Sequence, residues 1–419
     1  MKAWTWVAGA VALAAVGGVA GFGVVAQREL AQITHAPPFV LESASFPLVP
    51  AEPLPIDDSS LHATLTTLSE NPGLGQFHAR VTDASTGAVV FDRLAGEPLQ
   101  PASVTKVLTA AAAILALGPE DTVRTEVVRG VNPDRVTIKA AGDVWLDAEA
   151  LDSLAEQVGS AQEVFIDTSA WAGMPEMIEG WDPVDIDGGF VAPLQPAMLS
   201  GGRLDGETTG DVPRSHTPAQ DVAQALADRV GAIVVGVDNA PPDAEVVASV
   251  ESPTLVERLD MMMKNSDNVY AEAIGREVAL SRGTQDAPAA TLAILGEHGF
   301  DTSGITLADN SGLSTLNRIT PKLLDDILAN AASHPTLRPL LTTLPVAAGE
   351  GTLADRYGDL PGRGWVRAKT GTLDGTAALA GTVTSEHGNV YTFGLICNDA
   401  NVLEARRAMD EFTSALRQF

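Results

Sequence analysis

The sequence predicts an α+β fold that is interrupted by a smaller inserted α/β domain. β-like runs at 76–92 enclose a Thr86-Gly87 turn, and two further runs, at 377–384 and 389–396, read as a hairpin of central strands. Between these runs, helical stretches with clear start or stop signals predict helices. The predicted helices are 104–117, 252–264, 268–280, 286–298, 321–333 and 403–417.

The stretch 125–249 has a different pattern. Strand-like runs alternate there with two helical stretches around a loop at 169–214 that is rich in Gly, Pro, Asp and Trp. Such alternation is typical of α/β architecture. We therefore predict an insertion domain at 125–249, which separates the two parts, 61–124 and 250–419, of a main domain that carries the chemistry.

An apolar segment lies near the amino terminus. Residues 3–26 carry no charge and are long enough to cross a bilayer, while Val24 and Ala26 are small residues that suit a signal-peptidase site. A cleaved signal peptide and a retained membrane anchor, at 1–26, both stay open. The Pro-rich stretch 27–60 is predicted to be a linker. In both cases we expect the rest of the chain to lie outside the cytoplasm.

Composition excludes several classes of function. The formal net charge of −28 argues against nucleic acid as a partner and against docking of a basic face on anionic lipid. Membrane contact is therefore predicted only through the N-terminal segment. Cys397 is the single cysteine and follows an apolar run, so we expect a buried thiol. The seven histidines form no zinc-binding pattern, and we predict no metal and no cofactor.

Three short motifs occur once each along the chain. They are Ser103-Val104-Thr105-Lys106, Ser266-Asp267-Asn268 and Lys369-Thr370-Gly371-Thr372. The first lies at a predicted helix start, the second in a break between two predicted helices, and the third at a strand. Each alone is weak evidence, because a Ser three residues before a Lys is usually a helix cap or a solvated face. Together, in this order and context, they indicate an acyl-transfer serine enzyme, for which the trio is an established signature.

These residue types supply the groups that a nucleophilic attack needs. The Ser103 hydroxyl attacks a carbonyl poorly unless a base takes its proton, and Lys106 lies one helical turn away on the same face. Burial, or a second cation such as Lys369, would lower the pKa of Lys106 toward neutrality. Ser266 is a candidate proton relay between Lys106 and the leaving amine. Asn268 is a candidate for holding the substrate amide.

The third motif also offers a substrate-binding edge. Lys369, Thr370 and Thr372 present a charge and hydroxyls that suit a substrate carboxylate, and Gly371 lets a substrate backbone approach closely. The backbone N–H groups of Ser103 and Thr372 would form an oxyanion hole, since one lies at a helix start and the other on a strand edge.

With these motifs the chain resembles the D-alanyl-D-alanine carboxypeptidase/endopeptidase family, the class C low-molecular-mass penicillin-binding proteins. The resemblance covers residues from 61 to the end, and a long insertion between the first two motifs is characteristic. Further matching segments are Asp309-Asn310-Ser311-Gly312-Leu313-Ser314, Leu344-Pro345-Val346-Ala347, Gly351-Thr352-Leu353, Gly142-Asp143 and Trp181. The chain departs from the family pattern in two ways. Position 310 is Asn where the family usually has Gly. The span between Ser103 and Ser266 is shorter than in family members with two full inserted domains, which leaves the number of inserted subdomains open.

The resemblance implies a penicillin-recognising domain of the serine transpeptidase/β-lactamase-like class, an antiparallel sheet flanked by helices. It implies a serine-type D-Ala-D-Ala carboxypeptidase in which Ser103 attacks the penultimate D-Ala carbonyl of a peptidoglycan stem peptide. D-Ala is released and water then hydrolyses the acyl-enzyme. β-Lactams would acylate Ser103 as substrate mimics. An additional endopeptidase activity on cross-links stays open.

Two other functions stay open beside this one. A secreted serine β-lactamase would share the acylation step, but it needs rapid deacylation, and no convincing E-x-x-L-N segment of the class A type is present. A noncatalytic cell-wall-binding protein would keep the fold, but intact motif residues argue against it. For residues 309–312 we favour the role of a turn that supports the site.

Overall fold

The computed structural model describes residues 58–419, together with the isolated helical positions Val25, Gln27 and Arg28. The predicted signal or anchor segment and the Pro-rich linker otherwise lie outside the described residues. The last residues of the predicted linker begin a helix. Across the part of the chain that is described, no helix combines the length and the apolar character that a bilayer span requires.

The described residues from 58 to 419 form twelve strands and eleven α-helices. The strands are β1 (Gln76–Asp83), β2 (Ala88–Arg93), β3 (Arg124–Arg129), β4 (Arg135–Lys139), β5 (Asp143–Leu146), β6 (Glu163–Asp167), β7 (Ala197–Leu199), β8 (Val234–Val237), β9 (Glu245–Glu251), β10 (Val366–Leu373), β11 (Thr376–Thr384) and β12 (Val390–Asn398). The helices are α1 (Asp58–Ser69), α2 (Thr105–Leu117), α3 (Ala148–Val158), α4 (Val184–Asp187), α5 (Pro218–Val230), α6 (Leu255–Asn265), α7 (Asn268–Ser281), α8 (Ala287–Glu297), α9 (Pro321–Ser333), α10 (Arg338–Thr342) and α11 (Val402–Arg417).

The main sheet has five antiparallel strands in the order β10-β11-β12-β1-β2. β1, from the beginning of the described chain, pairs with β12, from near its end, so that Gln76 lies opposite Asn398. β10 pairs with β11 alone and therefore leaves one edge of the third motif unpaired within the sheet. The predicted hairpin of central strands is β11 and β12, and the predicted α+β class is confirmed.

Helices cover both faces of this sheet. Side chains alternate between the two faces of a strand, and β11 places Ala378 and Ala380 in one core while Ala377 and Leu379 lie in another. The first core contains buried residues of α2 and of α6 to α9. The second contains residues of α1 and α11. The turn at Ala102–Val104, which leads into α2, contacts β10 and β11, and this contact sets the position of the first motif.

A second sheet, with the order β8-β6-β4-β3-β9, lies between the first and second motifs in sequence. β4, β6 and β8 are parallel, whereas β3 runs antiparallel to both β4 and β9. Helices α3 and α5 share a core with it, as parallel strands require crossover connections. This sheet has the α/β character predicted for the insertion. The division of the chain into domains at 125 and 249 stays a prediction.

The start of α6 differs from the prediction. The sequence places this start at Ser252-Pro253, but the helix begins at Leu255. Thr254 is the N-cap, and its backbone N–H donates to the Glu257 carboxylate at 2.8 Å in a capping box. The capping box satisfies amide groups at the helix start, and this fixes the boundary three residues after the predicted start at Ser252.

Candidate active site

The first motif lies where a 3₁₀ turn, Ala102–Val104, leads into α2. Ala102 has a φ of 50°, so the chain bends sharply just before Ser103. Lys106 follows in the first turn of α2, and its Nζ lies 3.0 Å from Ser103 Oγ. Lys106 is fully buried, whereas Ser103 is half-buried and lines a cleft. The hydroxyl is therefore open to the cleft while the amine is shielded.

The second motif forms the break between α6 and α7. Ser266 adopts a left-handed conformation, with a φ of 57°, and caps the end of α6. Asp267 is the N-cap of α7, because its carboxylate accepts from the Tyr270 backbone N–H at 3.0 Å. The break directs Asp267 into the protein and leaves Ser266 and Asn268 half-buried on the wall of the cleft.

The third motif lies on the edge strand β10. Lys369 is fully buried, and its Nζ donates to Ser266 Oγ at 2.9 Å and to the Thr370 carbonyl at 2.8 Å. The hydroxyl of Thr370 donates to Thr352 Oγ1 at 2.8 Å. All the residues proposed for catalysis from the sequence thus lie around one cleft. The contact of Ser266 Oγ in this structure is with Lys369.

Lys106 uses its three N–H donors on Ser103 Oγ, on Asn268 Oδ1 at 2.8 Å and on the Ser311 carbonyl at 2.7 Å. Burial lowers the pKa of Lys106 to about 8, although nearby carboxylates, with Asp309 first, act to raise it. Burial, and then the charge of Lys106, lowers the pKa of Lys369 well below its ordinary value. Both amines therefore lose a proton more readily than an exposed lysine does.

A buried carboxylate holds the carbonyl that faces Lys106. Glu272 Oε1 accepts from the backbone N–H of Asn310 at 2.9 Å and of Ser311 at 2.7 Å. Burial, and then the charge of Asp309, raises the pKa of Glu272 to about 7. Glu272 is absent from the predicted site. The sequence could have indicated Glu272, because it lies in α7 one turn after Asn268 and on the same face of the helix.

Residues 309–312 form a tight support beneath the nucleophile. Gly312 has a φ of 84°, and a Cβ there would lie 2.0 Å from the Ala102 carbonyl oxygen, so only glycine fits against the turn before Ser103. Asn310, the departure from the family pattern, packs against Gly275, where a Cβ would lie 2.4 Å from Asn310 Nδ2. Its Oδ1 accepts from the Thr291 hydroxyl at 2.7 Å.

An ion-pair cluster ties the second motif to the long loop of the predicted insertion. Arg203 Nη2 lies 2.6 Å, and Arg214 Nη2 2.8 Å, from Asp267 Oδ2, and all three side chains are buried. Burial alone would raise the pKa of Asp267, but Arg214 and Arg203 overcome that effect and hold it well below its usual range. The two arginines are absent from the predicted site, because no local pattern pairs them with a distant aspartate.

The same loop touches Asn268. Its Nδ2 donates to the Phe190 carbonyl at 3.1 Å, while its Oδ1 accepts from Lys106. Both ends of the side chain are thus engaged. If Asn268 is to hold a substrate amide, as the sequence suggests, the substrate must take the place of the Phe190 carbonyl or share Nδ2 with it.

The cleft has a volume of about 510 Å³. At Gly371 a Cβ would lie 2.6 Å from the Pro101 carbonyl oxygen, so the close approach in this structure is to the protein's own turn before Ser103. Beyond it, Thr372 is exposed, and its Oγ1 accepts from Arg406 Nη2 at 2.6 Å. Among the described residues, no group of three or more His, Cys, Asp and Glu side chains is arranged to hold a metal ion.

Replacing Asp267 by asparagine is expected to destabilise the protein by about 3–5 kcal/mol, because two buried guanidinium groups lose their carboxylate. Urea unfolding measures the change. The matched control is Asp152→Asn, which removes the carboxylate of an exposed pair whose contact to Arg229 Nε is also 2.6 Å. We expect an effect of about 1 kcal/mol or less there. Equal effects of the two substitutions would contradict a structural role for the buried cluster.

Known proteins resemble the chain over most of its length. The model of the D-Ala-D-Ala carboxypeptidase 3 (S13) family matches residues 61–226 and 204–416. Carboxypeptidase DacB of Mycolicibacterium smegmatis is 42% identical, over 91% of this chain and 88% of that protein. A carboxypeptidase of Mycobacterium tuberculosis is 39% identical, over 88% of each.

A solved structure shares the fold. Penicillin binding protein 4 (dacB) of Haemophilus influenzae superposes with a TM-score of 0.70 at 23% identity, over 87% of this chain and 100% of that chain. The structure of that protein in complex with a β-lactam gives a TM-score of 0.63, over 85% of this chain and 98% of that chain. The likeness shows that the fold is that of penicillin-binding proteins.

Proposed function

This chain belongs to the D-Ala-D-Ala carboxypeptidase 3 (S13) family, and we propose that Ser103 is the nucleophile with which it cleaves peptidoglycan stem peptides. The chain is a serine-type D-Ala-D-Ala carboxypeptidase, a hydrolase. The observation that carries the proposal is the 3.0 Å contact between Ser103 Oγ and the buried amine of Lys106. A buried amine with a lowered pKa can accept the hydroxyl proton at a pH where an exposed lysine cannot.

Acylation begins when the neutral amine of Lys106 takes the proton of Ser103 Oγ. The oxygen attacks the carbonyl carbon of the penultimate D-Ala, and the carbonyl oxygen becomes an anion. The backbone N–H groups of Ser103 and Thr372 stabilise that anion. Support comes from their positions beside the cleft, at a helix start and on an unpaired strand edge. Asn268 fixes the position of Lys106 through its 2.8 Å contact and holds the substrate amide with Nδ2.

Collapse of the intermediate requires a proton on the leaving nitrogen. Ser266 supplies it, and Lys369 replenishes Ser266 across their 2.9 Å contact. The C–N bond then breaks and D-Ala leaves with the proton, while the acyl group stays on Ser103 Oγ. Before the second half-reaction, Lys106 gives the proton that it took from Ser103 to solvent, and Lys369 regains a proton from solvent. Neutral Lys106 then takes a proton from water as the water oxygen attacks the ester carbonyl, and it returns that proton to Ser103 Oγ when the ester C–O bond breaks.

Substrate binding depends on the edge strand. A stem peptide that lies along β10 places its carbonyl at Ser103 and its carboxylate beside Thr370 and Thr372, with Lys369 as a nearby positive charge. Gly371 keeps the strand close to the turn that carries Ser103. β-Lactams, which carry a reactive amide and a carboxylate, would acylate Ser103 in the same way. The β-lactam complex of penicillin binding protein 4 supports this part of the proposal.

Membership of a cell-wall peptidase family implies action outside the cytoplasm. We propose that residues 1–26 bring the enzyme there, as a cleaved signal peptide or as an anchor, and that 27–60 is the linker. Family membership favours the carboxypeptidase over the secreted β-lactamase and over the noncatalytic wall-binding protein.

Mass spectrometry of cross-linked muropeptides after incubation with the protein tests the proposal. We expect free D-Ala and tetrapeptide stems, and no release after preincubation with penicillin. Loss of cross-linked dimers in the same sample would add endopeptidase activity. Unchanged pentapeptide stems, with a folded protein, would overturn the proposed function.

A further inference from the structure

We propose that Arg406, on the C-terminal helix, binds the α-carboxylate of the residue that leaves, and that it makes a free carboxylate at this position a requirement of the substrate. This inference rests on the proposed function, which it deepens. The third motif was predicted to bind a carboxylate, but the sequence does not assign Arg406 to the site.

Arg406 reaches the cleft from a different element than the three motifs. It lies in the second turn of α11, and that helix packs on the same sheet as β10. Its Nη2 donates to Thr372 Oγ1 at 2.6 Å, and both residues line the cleft beside Ser103. The guanidinium is therefore close to the place where the edge strand would receive a substrate.

The charge of Arg406 is only partly compensated: burial and the charge of Arg356 lower the pKa of Arg406, and the charge of Asp410 does not fully offset them. The neighbouring cation, Arg356, is paired with Asp410 through contacts of 2.5 Å and 3.2 Å. Among the described residues, Arg406 has a hydroxyl partner and no ion pair. It is also half-buried, so water solvates it less well than an exposed arginine. A half-buried guanidinium with free N–H donors, facing a cleft, is suited to receive an anion.

The chemistry of the proposed substrate brings a carboxylate to this place. When the scissile carbonyl points at the Thr372 backbone N–H, the Cα atom of the leaving residue follows at about 3.8 Å from the preceding one. Its carboxylate then lies within reach of Thr372 Oγ1 and of the guanidinium beyond it. A planar fork with parallel N–H groups matches the two oxygens of a carboxylate, whereas an amide offers one oxygen and no charge.

The test compares two substrates, an N-acylated peptide that ends in D-Ala-D-Ala and the same peptide with a C-terminal amide. For Arg406→Gln we expect kcat/KM on the carboxylate substrate to fall about 10- to 100-fold, the loss of a charge-assisted hydrogen-bond pair. On the amide substrate the variant and the wild type should agree within about twofold. Arg406→Lys keeps the charge but lacks the planar pair of parallel N–H groups, so its kcat/KM on the carboxylate substrate should lie between those of the wild type and Arg406→Gln.

The matched control is Arg407→Gln, which removes the same charge from the next, exposed position of α11. We expect it to behave as the wild type on both substrates. An equal loss on both substrates for Arg406→Gln, or no loss on the carboxylate substrate, would overturn the inference. A wild-type protein that cleaves neither substrate, and so releases neither D-Ala nor D-alanine amide, would instead refute the proposed function, so the two failures are distinguishable.

Discussion

Replacement of Ser103 by alanine is expected to abolish covalent labelling by fluorescent penicillin and to reduce D-Ala release to background. The acyl-enzyme is an ester of Ser103 Oγ, so without that oxygen nothing links the opened β-lactam to the protein. The half-buried side chain is small, and its removal leaves the Lys106 contacts to Asn268 and Ser311 in place. We therefore expect an unchanged unfolding midpoint.

Gel fluorescence after incubation with the labelled penicillin measures the effect. Ser333→Ala, on the exposed face of α9, is the matched control, and it should label like the wild type. Labelling of Ser103→Ala at the wild-type level would discard Ser103 as the nucleophile.

Replacement of Lys106 by alanine is expected to slow acylation about 10³- to 10⁴-fold, as the loss of a general base does. Alanine also leaves the Ser311 carbonyl and Asn268 Oδ1 without their donor. Lys106→Met, which fills a similar volume, therefore serves as a second variant. Both should remain folded, as near-UV circular dichroism can verify. Acylation within about threefold of the wild-type rate in both variants would exclude Lys106 as the base.

The wild-type acylation rate should also depend on pH in a defined direction. The pKa of Lys106 is lowered to about 8, and only the neutral amine accepts a proton, so the rate should rise as the pH increases through about 8. Stopped-flow mixing with penicillin from pH 6 to pH 10 measures the profile. The residual acylation rate of Lys106→Met should not show this rise with pH.

The three motifs could be identified from the sequence because the residues of each motif lie close together along the chain. Ser103 and Lys106 are three residues apart on one helix, and the break around Ser266 follows from two apolar periodic stretches with a cap between them. The resemblance to the carboxypeptidase family, the enzyme class and the penicillin-recognising α+β fold are confirmed. The roles of the individual site residues and the domain boundaries stay predictions.

The side chains that contact the motif residues could not be predicted from the sequence, because these contacts depend on tertiary structure. Arg203 and Arg214 meet Asp267 only when the long loop folds back on the break between α6 and α7. Arg406 meets Thr372 only when the last helix packs on the sheet. The helices α4 and α10 were missed for another reason, since one or two turns are too short to produce a hydrophobic period.

The pairing of β1 with β12 has a consequence for biosynthesis. Gln76 emerges from the ribosome long before Asn398, so β1 can pair early with β2, but its other edge stays unpaired for almost the whole of translation. Contacts between such distant segments form slowly, because a long loop must close first. A nascent chain that lacks its final strands cannot complete the main sheet. We expect it to remain unfolded enough to pass through a translocation channel before the enzyme becomes active.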